Sequence, residues 1–259
     1  MAIEIDLAGK VAIVTGGTRG VGRGIAERYL EAGAEVLVCG RNEPESLPAA
    51  GGREAHFVAG DVREVEAIDG IARQAEERFG RLDVLVNNAG GAPAVDAATV
   101  SPRFHESIIR LNLIGPLHFA QRANQTMQQQ DTGGVILNIS SVSGLRASPG
   151  TSAYGAAKAG LLSLSQSLAV EWAPKVRVVA VAAGMVRTEQ SELHYGDAEG
   201  VAAVGATVPL GRLAEPVEIG DACVFLSSPL ASYVSGTHLL LHGGGEAPSF
   251  LGAAKNTQD

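Results

Sequence analysis

Lys10-Val-Ala-Ile-Val14 runs directly into Thr15-Gly-Gly-Thr-Arg-Gly-Val-Gly22, and this junction decides the fold. The first five residues form a short apolar, β-branched run, the pattern of a buried strand. Val21, Ile25 and Tyr29 then recur at helical spacing until Gly33, which predicts a helix from Val21 to Ala32. Strand, glycine turn and helix in succession make a phosphate-binding start. Glycines let the backbone approach a pyrophosphate, and the helix N-terminus offers free N–H groups and the positive end of its dipole. The spacing is Gly16-x-x-x-Gly20-x-Gly22, not GxGxxG, and no Gly-Lys-Ser/Thr follows, which argues against a nucleoside-triphosphate loop.

The segments that follow repeat the pattern. Glu35–Cys39 reads as the second strand and ends in Gly40-Arg41-Asn42. An acidic residue after this strand commonly holds a ribose 2′-hydroxyl; Arg41 stands there instead, with Arg19 in the glycine loop. Two guanidiniums near the ribose favour a 2′-phosphate, so NADP(H) is the expected cofactor and NAD(H) the alternative. The link from Asn42 to Arg53 leaves room for about one helical turn. Strands are expected at His56–Ala59 and Leu82–Val86, with an amphipathic helix at Glu64–Phe79 between them. Asp61-Val62 and Asn87-Asn88-Ala89-Gly90 follow the two strands, on the side where parallel sheets bind ligands. Thr99–Met127 reads as mainly helical with Asn112 inside it; either that poor helix former faces solvent or it serves a polar site.

Val135–Ile139 is the fifth strand and Ser141 closes it. Thr151 or Ser152 would cap a helix running to about Trp172 that carries Tyr154 and Lys158 four residues apart, on one face. An ammonium beside a phenol lowers the phenol's pKa toward the working pH, which suits a group passing a proton to or from a carbinol oxygen. The Ser141 hydroxyl can bond the same oxygen. Val176–Val181 is the sixth strand, followed by an irregular stretch, 185–210, where a substrate lid would sit. Pro216–Leu226 reads as a helix and Thr237–His242 as the last strand. The alternation predicts an α/β fold: a doubly wound parallel sheet with helices on both faces, in a single domain spanning 1–259.

Composition excludes other classes. The 259 residues carry a net charge of −8, so no basic stripe is available for nucleic acid. Cys39 and Cys223 have no metal-ligand spacing and the six histidines are scattered, so no catalytic metal is expected. No signal peptide and no apolar run of membrane-spanning length is evident, and a cytoplasmic location is the default.

Taken together, Thr15–Gly22, Asp61-Val62, Asn87–Gly90, Asn112, Ser141 and Tyr154-x-x-x-Lys158 resemble the short-chain dehydrogenase/reductase family over roughly residues 7–245. The resemblance implies a seven-stranded Rossmann-type sheet, a nicotinamide cofactor and a homotetramer. It implies Tyr154 as the acid/base, Lys158 on the nicotinamide ribose, Ser141 orienting the carbonyl and Asn112 holding a proton-relaying water. Cofactor contacts would come from Gly16, Thr18, Arg19, Gly20, Val21, Gly22, Arg41, Asp61, Val62, Asn88, Ala89, Gly90, Tyr154, Lys158, Gly184, Val186 and Thr188. Three departures stand out: Ala183 replaces the family's proline after the sixth strand, His242 its usual acidic residue before the last glycines, and the Asn42–Arg53 link is shortened, which would leave the adenine end more open. The chain is most similar to the 3-oxoacyl-(carrier-protein) reductases, although Gln128-Gln-Gln-Asp131 offers a carrier protein little attraction. The expected substrate is a small-molecule ketone or secondary alcohol. A non-catalytic NADP(H) sensor is the alternative reading.

Overall fold

The computed structural model describes residues 5–250. In chain order its elements are β1 (Val11–Thr15), α1 (Gly20–Glu31), β2 (Glu35–Gly40), β3 (Ala49–Ala50), β4 (Arg53–Glu54), β5 (His56–Ala59), α2 (Val65–Phe79), β6 (Val84–Asn87) and α3 (Pro102–Ile109). After α3 come a π-helical turn (Arg110–Ile114), α4 (Gly115–Gln129), β7 (Gly134–Ser141), a 3-10 turn (Val142–Gly144) and α5 (Ser152–Glu171). The chain ends with β8 (Val176–Ala183), α6 (Ser191–Tyr195), α7 (Ala198–Ala206), α8 (Pro216–Ser227), a second 3-10 turn (Pro229–Ala231) and β9 (His238–Leu241). Seven strands form one parallel sheet in the order β5-β2-β1-β6-β7-β8-β9.

Every residue of β1 is buried, because successive side chains feed opposite cores. Ala12 and Val14 pack with Ile25, Tyr29 and Leu30 of α1 and with Ile219 and Cys223 of α8. Val11 and Ile13 pack with Ile68 and Ile71 of α2, with Phe119 and Met127 of α4, and with Leu168 of α5. Helices therefore cover both faces, and parallel strands whose amides are satisfied within the sheet need that cover.

Three expectations fail here. The link 42–53 forms no helical turn; β3 and β4 pair as a small antiparallel hairpin. Gly51 and Gly52 at its tip have φ of 59° and 73°, the left-handed pair that a two-residue hairpin turn needs. Stretch 185–210 is not irregular but carries α6 and α7, the latter capped by Asp197, whose Oδ1 accepts from the Gly200 amide at 3.0 Å. The expected helix across Asn112 starts at Pro102, where Ser101 Oγ accepts from the Phe104 amide, and it is interrupted by the π turn. Pro116 has no N–H for the Asn112 carbonyl, and a Cβ on Gly115 would meet the Val62 carbonyl oxygen at 2.6 Å. The interruption brings α4 tightly against the loop after β5.

Candidate active site

Register sets the strand ends. Val14 of β1 lies opposite Val86 of β6. Asn87 lies opposite Asn138, Ser141 opposite Ala183, and Ala183 opposite Leu241. The loops that follow these strands open on one crevice. Within it, the glycine loop leans on the turn after β6. A Cβ on Gly16 would meet Ala89 Cα at 3.1 Å, and one on Gly22 would meet the Gly16 carbonyl oxygen at 2.3 Å and Asn88 Nδ2 at 2.4 Å. Asn88 Nδ2 donates to the Thr15 carbonyl at 2.9 Å. The N-terminus of α1 has no side-chain cap, as Arg19 is extended there. Its orphan amides thus face the loop with no protein acceptor of their own, which fits a cofactor pyrophosphate. Thr18 Oγ1 lies near Gly40 at the end of β2, and Thr188 beside Gly20.

Four expected catalytic residues meet at the adjoining strand ends. Lys158 is 3% exposed; its Nζ donates to the Ile139 carbonyl at 2.7 Å and lies 5.5 Å from the Tyr154 ring centroid. Gly90 lies between Lys158 and Asn112, since a Cβ there would stand 2.6 Å from Asn112 Oδ1 and 3.3 Å from Lys158 Nζ. Fully buried Asn112 clamps the next residue: Oδ1 accepts from the Gly91 amide at 2.9 Å, and Nδ2 donates to the carbonyls of Gly91 and Ile108 at 3.0 Å each. It therefore faces the site rather than solvent. One Oδ1 lone pair remains for a water.

The electrostatics differ from the expectation. Burial pushes the Tyr154 phenol above its ordinary value; the Ser141 hydroxyl draws it part of the way back and the Tyr195 phenol adds to the rise. Burial also weakens the Lys158 ammonium, lowering its pKa to about 8. The expected N-cap also differs. Thr151 holds the cap position of α5 without capping it, because its hydroxyl is shared with Ser148 Oγ at 2.6 Å.

The remaining expected residues spread along the crevice. Arg19 and Arg41 are exposed at its β2 end. Asp61 is held below the usual carboxylate range, chiefly by hydrogen bonds from Arg63, so it is committed to that arginine. Val62 is buried beneath Gly115. Gly184 donates its amide to the Leu241 carbonyl at 2.7 Å, which supplies some of the restraint lost with the family's proline. Val186 bridges to Ala214, and the Thr188 amide donates to Ser191 Oγ at 2.8 Å. His242 packs against Gly184 and Gly245.

Sequence reading missed two supports. Thr15 Oγ1 accepts from the amides of Asn88 and Ala89 at 2.9 Å each, pinning the turn after β6 to β1. Asn87 Nδ2 donates to Asn138 Oδ1, and Asn138 Nδ2 donates to Ser165 Oγ, both at 2.9 Å, linking β6, β7 and α5 through the core. The signal was available as two asparagines inside otherwise apolar strands, since buried amides demand partners. Among the described residues no group of His, Cys, Asp or Glu could hold a metal, and no helix is long and apolar enough to cross a membrane.

A family model described as enoyl-(acyl carrier protein) reductase matches residues 16–246. An oxidoreductase of Mycobacterium tuberculosis is 38% identical over 242 residues, covering 91% of each chain. A probable 2,4-dienoyl-CoA reductase of Bacillus subtilis is 36% identical, over 91% of this chain and 96% of its own. The solved aldohexose dehydrogenase of Thermoplasma acidophilum superposes with a TM-score of 0.86 over 99% of both chains at 29% identity. Matched over most of its length and built on a seven-stranded Rossmann-type sheet, the chain belongs to the short-chain dehydrogenase/reductase family, whose members are NAD(P)-dependent oxidoreductases acting on CH–OH and C=O groups.

Proposed function

We propose that the protein prefers NADP(H) and interconverts a ketone and a secondary alcohol, with 3-oxoacyl thioesters as the substrate class. The observation that carries this reading is the approach of Lys158 to Asn112 across Gly90 on one side and to the Tyr154 ring on the other, at the strand ends beside the glycine loop. The bound nicotinamide would supply or accept the hydride. Tyr154 gives its phenolic proton to the carbonyl oxygen in reduction and takes it back in oxidation. Ser141, at the end of β7, hydrogen-bonds the same oxygen and sets its distance from the phenol. Lys158, anchored by Ile139, holds the nicotinamide ribose and stabilises the phenolate that forms when the proton leaves. Lys158 then passes a proton toward the phenolate, and a water held by Asn112 makes good that proton from solvent. Stretch 185–210, with α6 and α7, serves as the lid of a single domain.

Three observations support NADP(H). Arg41 and Arg19 are exposed at the β2 end of the crevice, Thr18 lies beside Gly40, and the nearby Asp61 is tied to Arg63 and so unavailable to a 2′-hydroxyl. The thioester class is supported by the family description and by the acyl-CoA named for the Bacillus subtilis relative. A homotetramer is supported by outward apolar side chains such as Val170 and Tyr233, 80% and 103% exposed; light scattering of the purified protein tests it. The buried, unpaired thiols of Cys39 and Cys223 suit a reducing compartment, the cytoplasm.

Loss of NADPH absorbance against a panel of carbonyl compounds tests the activity. Tyr154→Phe should lose at least about a thousandfold in kcat while still binding NADPH. Normal turnover by this variant would remove Tyr154 from the reaction, and tight NADPH binding without turnover of any compound by the unsubstituted protein would favour a sensor. Arg41→Ala should raise the KM for NADPH about tenfold and leave that for NADH nearly unchanged; equal changes would refute the 2′-phosphate assignment.

A further inference from the structure

Past the ends of β7 and β8 lies a cleft of about 330 Å³. Val142, Leu145 and Arg146 form one wall, just past Ser141; Gly184 and Met185 face them; and Leu240, His242 and Glu246 close the end. The wall is mostly apolar, and among the described residues Arg146 is the one arginine or lysine on it. Its Nη1 donates to the Ala147 carbonyl at 2.9 Å, while Nη2 donates to the Glu246 carboxylate. Tyr195 of α6 feels both partners of this ion pair, and the Tyr154 phenol feels Tyr195 in turn. Val142, the residue after Ser141, lines the same cleft, which places the pair next to the strand end that carries the site.

Two features make Glu246 a replaceable partner. The pair is 44% and 43% exposed, so it is only marginally stabilising. Glu246 also follows Gly243, Gly244 and Gly245, with φ of 63°, 97° and 86°. Three successive left-handed glycines leave the backbone leading to the carboxylate free to re-set without steric penalty. A carboxylate on such a tether, seated on a guanidinium at the wall of the cleft, marks where another anionic oxygen group would bind.

We propose that Arg146 anchors an anionic group of the substrate, a carboxylate or a phosphate, and that Glu246 occupies that position until substrate displaces it. The planar fork of an arginine reads both groups through paired hydrogen bonds. The substrate is then a ketone or secondary alcohol with a charged end, held by that end while the carbinol carbon lies against Tyr154. This inference rests on the oxidoreductase reading above.

Three matched probes test it: a 3-oxoacyl N-acetylcysteamine thioester, which is neutral; the same acyl group on phosphopantetheine; and the N-acetylcysteamine thioester of an acyl chain ending in a carboxylate. The intact NADP(H)-loaded protein should favour at least one charged probe over the neutral one roughly tenfold or more in kcat/KM. Preference for the phosphopantetheine compound identifies a carrier phosphate as the anion, and preference for the other an acyl-end carboxylate. Arg146→Gln should bring the charged-to-neutral ratio to about one, Arg146→Lys should retain part of it, and Glu246→Gln should tighten binding of the charged probe. No preference in the unsubstituted protein, or a ratio unmoved by Arg146→Gln, overturns the inference. Absence of turnover with all three probes refutes the thioester reading instead. Calorimetric affinities of the same probes then decide the inference, which falls if Arg146→Gln shifts all of them alike or none.

Discussion

Replacing Lys158 with methionine should make the cofactor-free protein more stable while destroying its activity. Depth is the cause: Lys158 is 3% exposed, and burial lowers its pKa from 10.5 to about 8. That depression corresponds to about 3 kcal/mol of cost for keeping the ammonium charged in the folded protein at pH 7. Methionine fills similar space without charge but abandons the hydrogen bond to the Ile139 carbonyl, which returns about 1 kcal/mol. The net gain is about 2 kcal/mol, or a rise of ~0.7 M in the urea midpoint if m is about 3 kcal/mol/M. The sign with pH is fixed. Between pH 8 and 10.5 the unfolded lysine binds more protons than the folded one, so the unsubstituted protein gains stability as pH rises through that window. The advantage of Lys158→Met should therefore be full near pH 7 and shrink toward pH 10. Urea titrations of both proteins at pH 7 and pH 10, at one protein concentration, read this directly. A variant less stable at pH 7, or a difference that does not change with pH, refutes the argument.

Two further perturbations follow from the geometry. Gly90→Ala puts a methyl 2.6 Å from Asn112 Oδ1 and 3.3 Å from Lys158 Nζ; kcat/KM should fall about a hundredfold or more while stability falls by about 1–3 kcal/mol, and unchanged kinetics would show that the two side chains need not be held where they are. Burial alone would raise the Asp83 pKa, but hydrogen bonds from Arg81, the Val11 amide and Lys10 hold it below the usual carboxylate range. Its contribution is thus complete above that range and is lost as pH falls through the folded value. Asp83→Asn should cost about 2 kcal/mol at pH 7, and the gap in urea midpoints should close as pH falls below about 4; a gap constant with pH would contradict the pairing.

What could be read from the chain depended on the range of the interaction. The strands were found to within a residue or two because central parallel strands are buried on both faces, and Val11–Val14 or Val176–Val181 can hardly be mistaken for anything else. Of the candidate site, the order of motifs gave the residues, and the fold brings Asn112, Ser141, Tyr154 and Lys158 to the same strand ends. Short elements escaped. Two-residue strands have no periodicity, so the β3–β4 hairpin was visible only in Gly51-Gly52, and α6 and α7 hid in a polar stretch where the Asp197 cap was the readable sign. The Asn87–Asn138–Ser165 chain joins residues 51 and 27 positions apart, a distance that no local pattern spans. Spacing put Tyr154 and Lys158 on one helix face but said nothing of depth, and depth is what raises the phenol and weakens the ammonium.

The π turn at Arg110–Ile114 has a consequence for how this site can change. Such a turn amounts to one surplus residue in an α-helix. Excising it would restore ideal α-helical hydrogen bonding locally. The wide turn absorbs the extra residue, so the helix on either side keeps its phase, and Phe119, Ala123 and Met127 would stay on the sheet they are buried against. A single deletion here would therefore leave the interior packed and take from the site only the bulge that presents its asparagine.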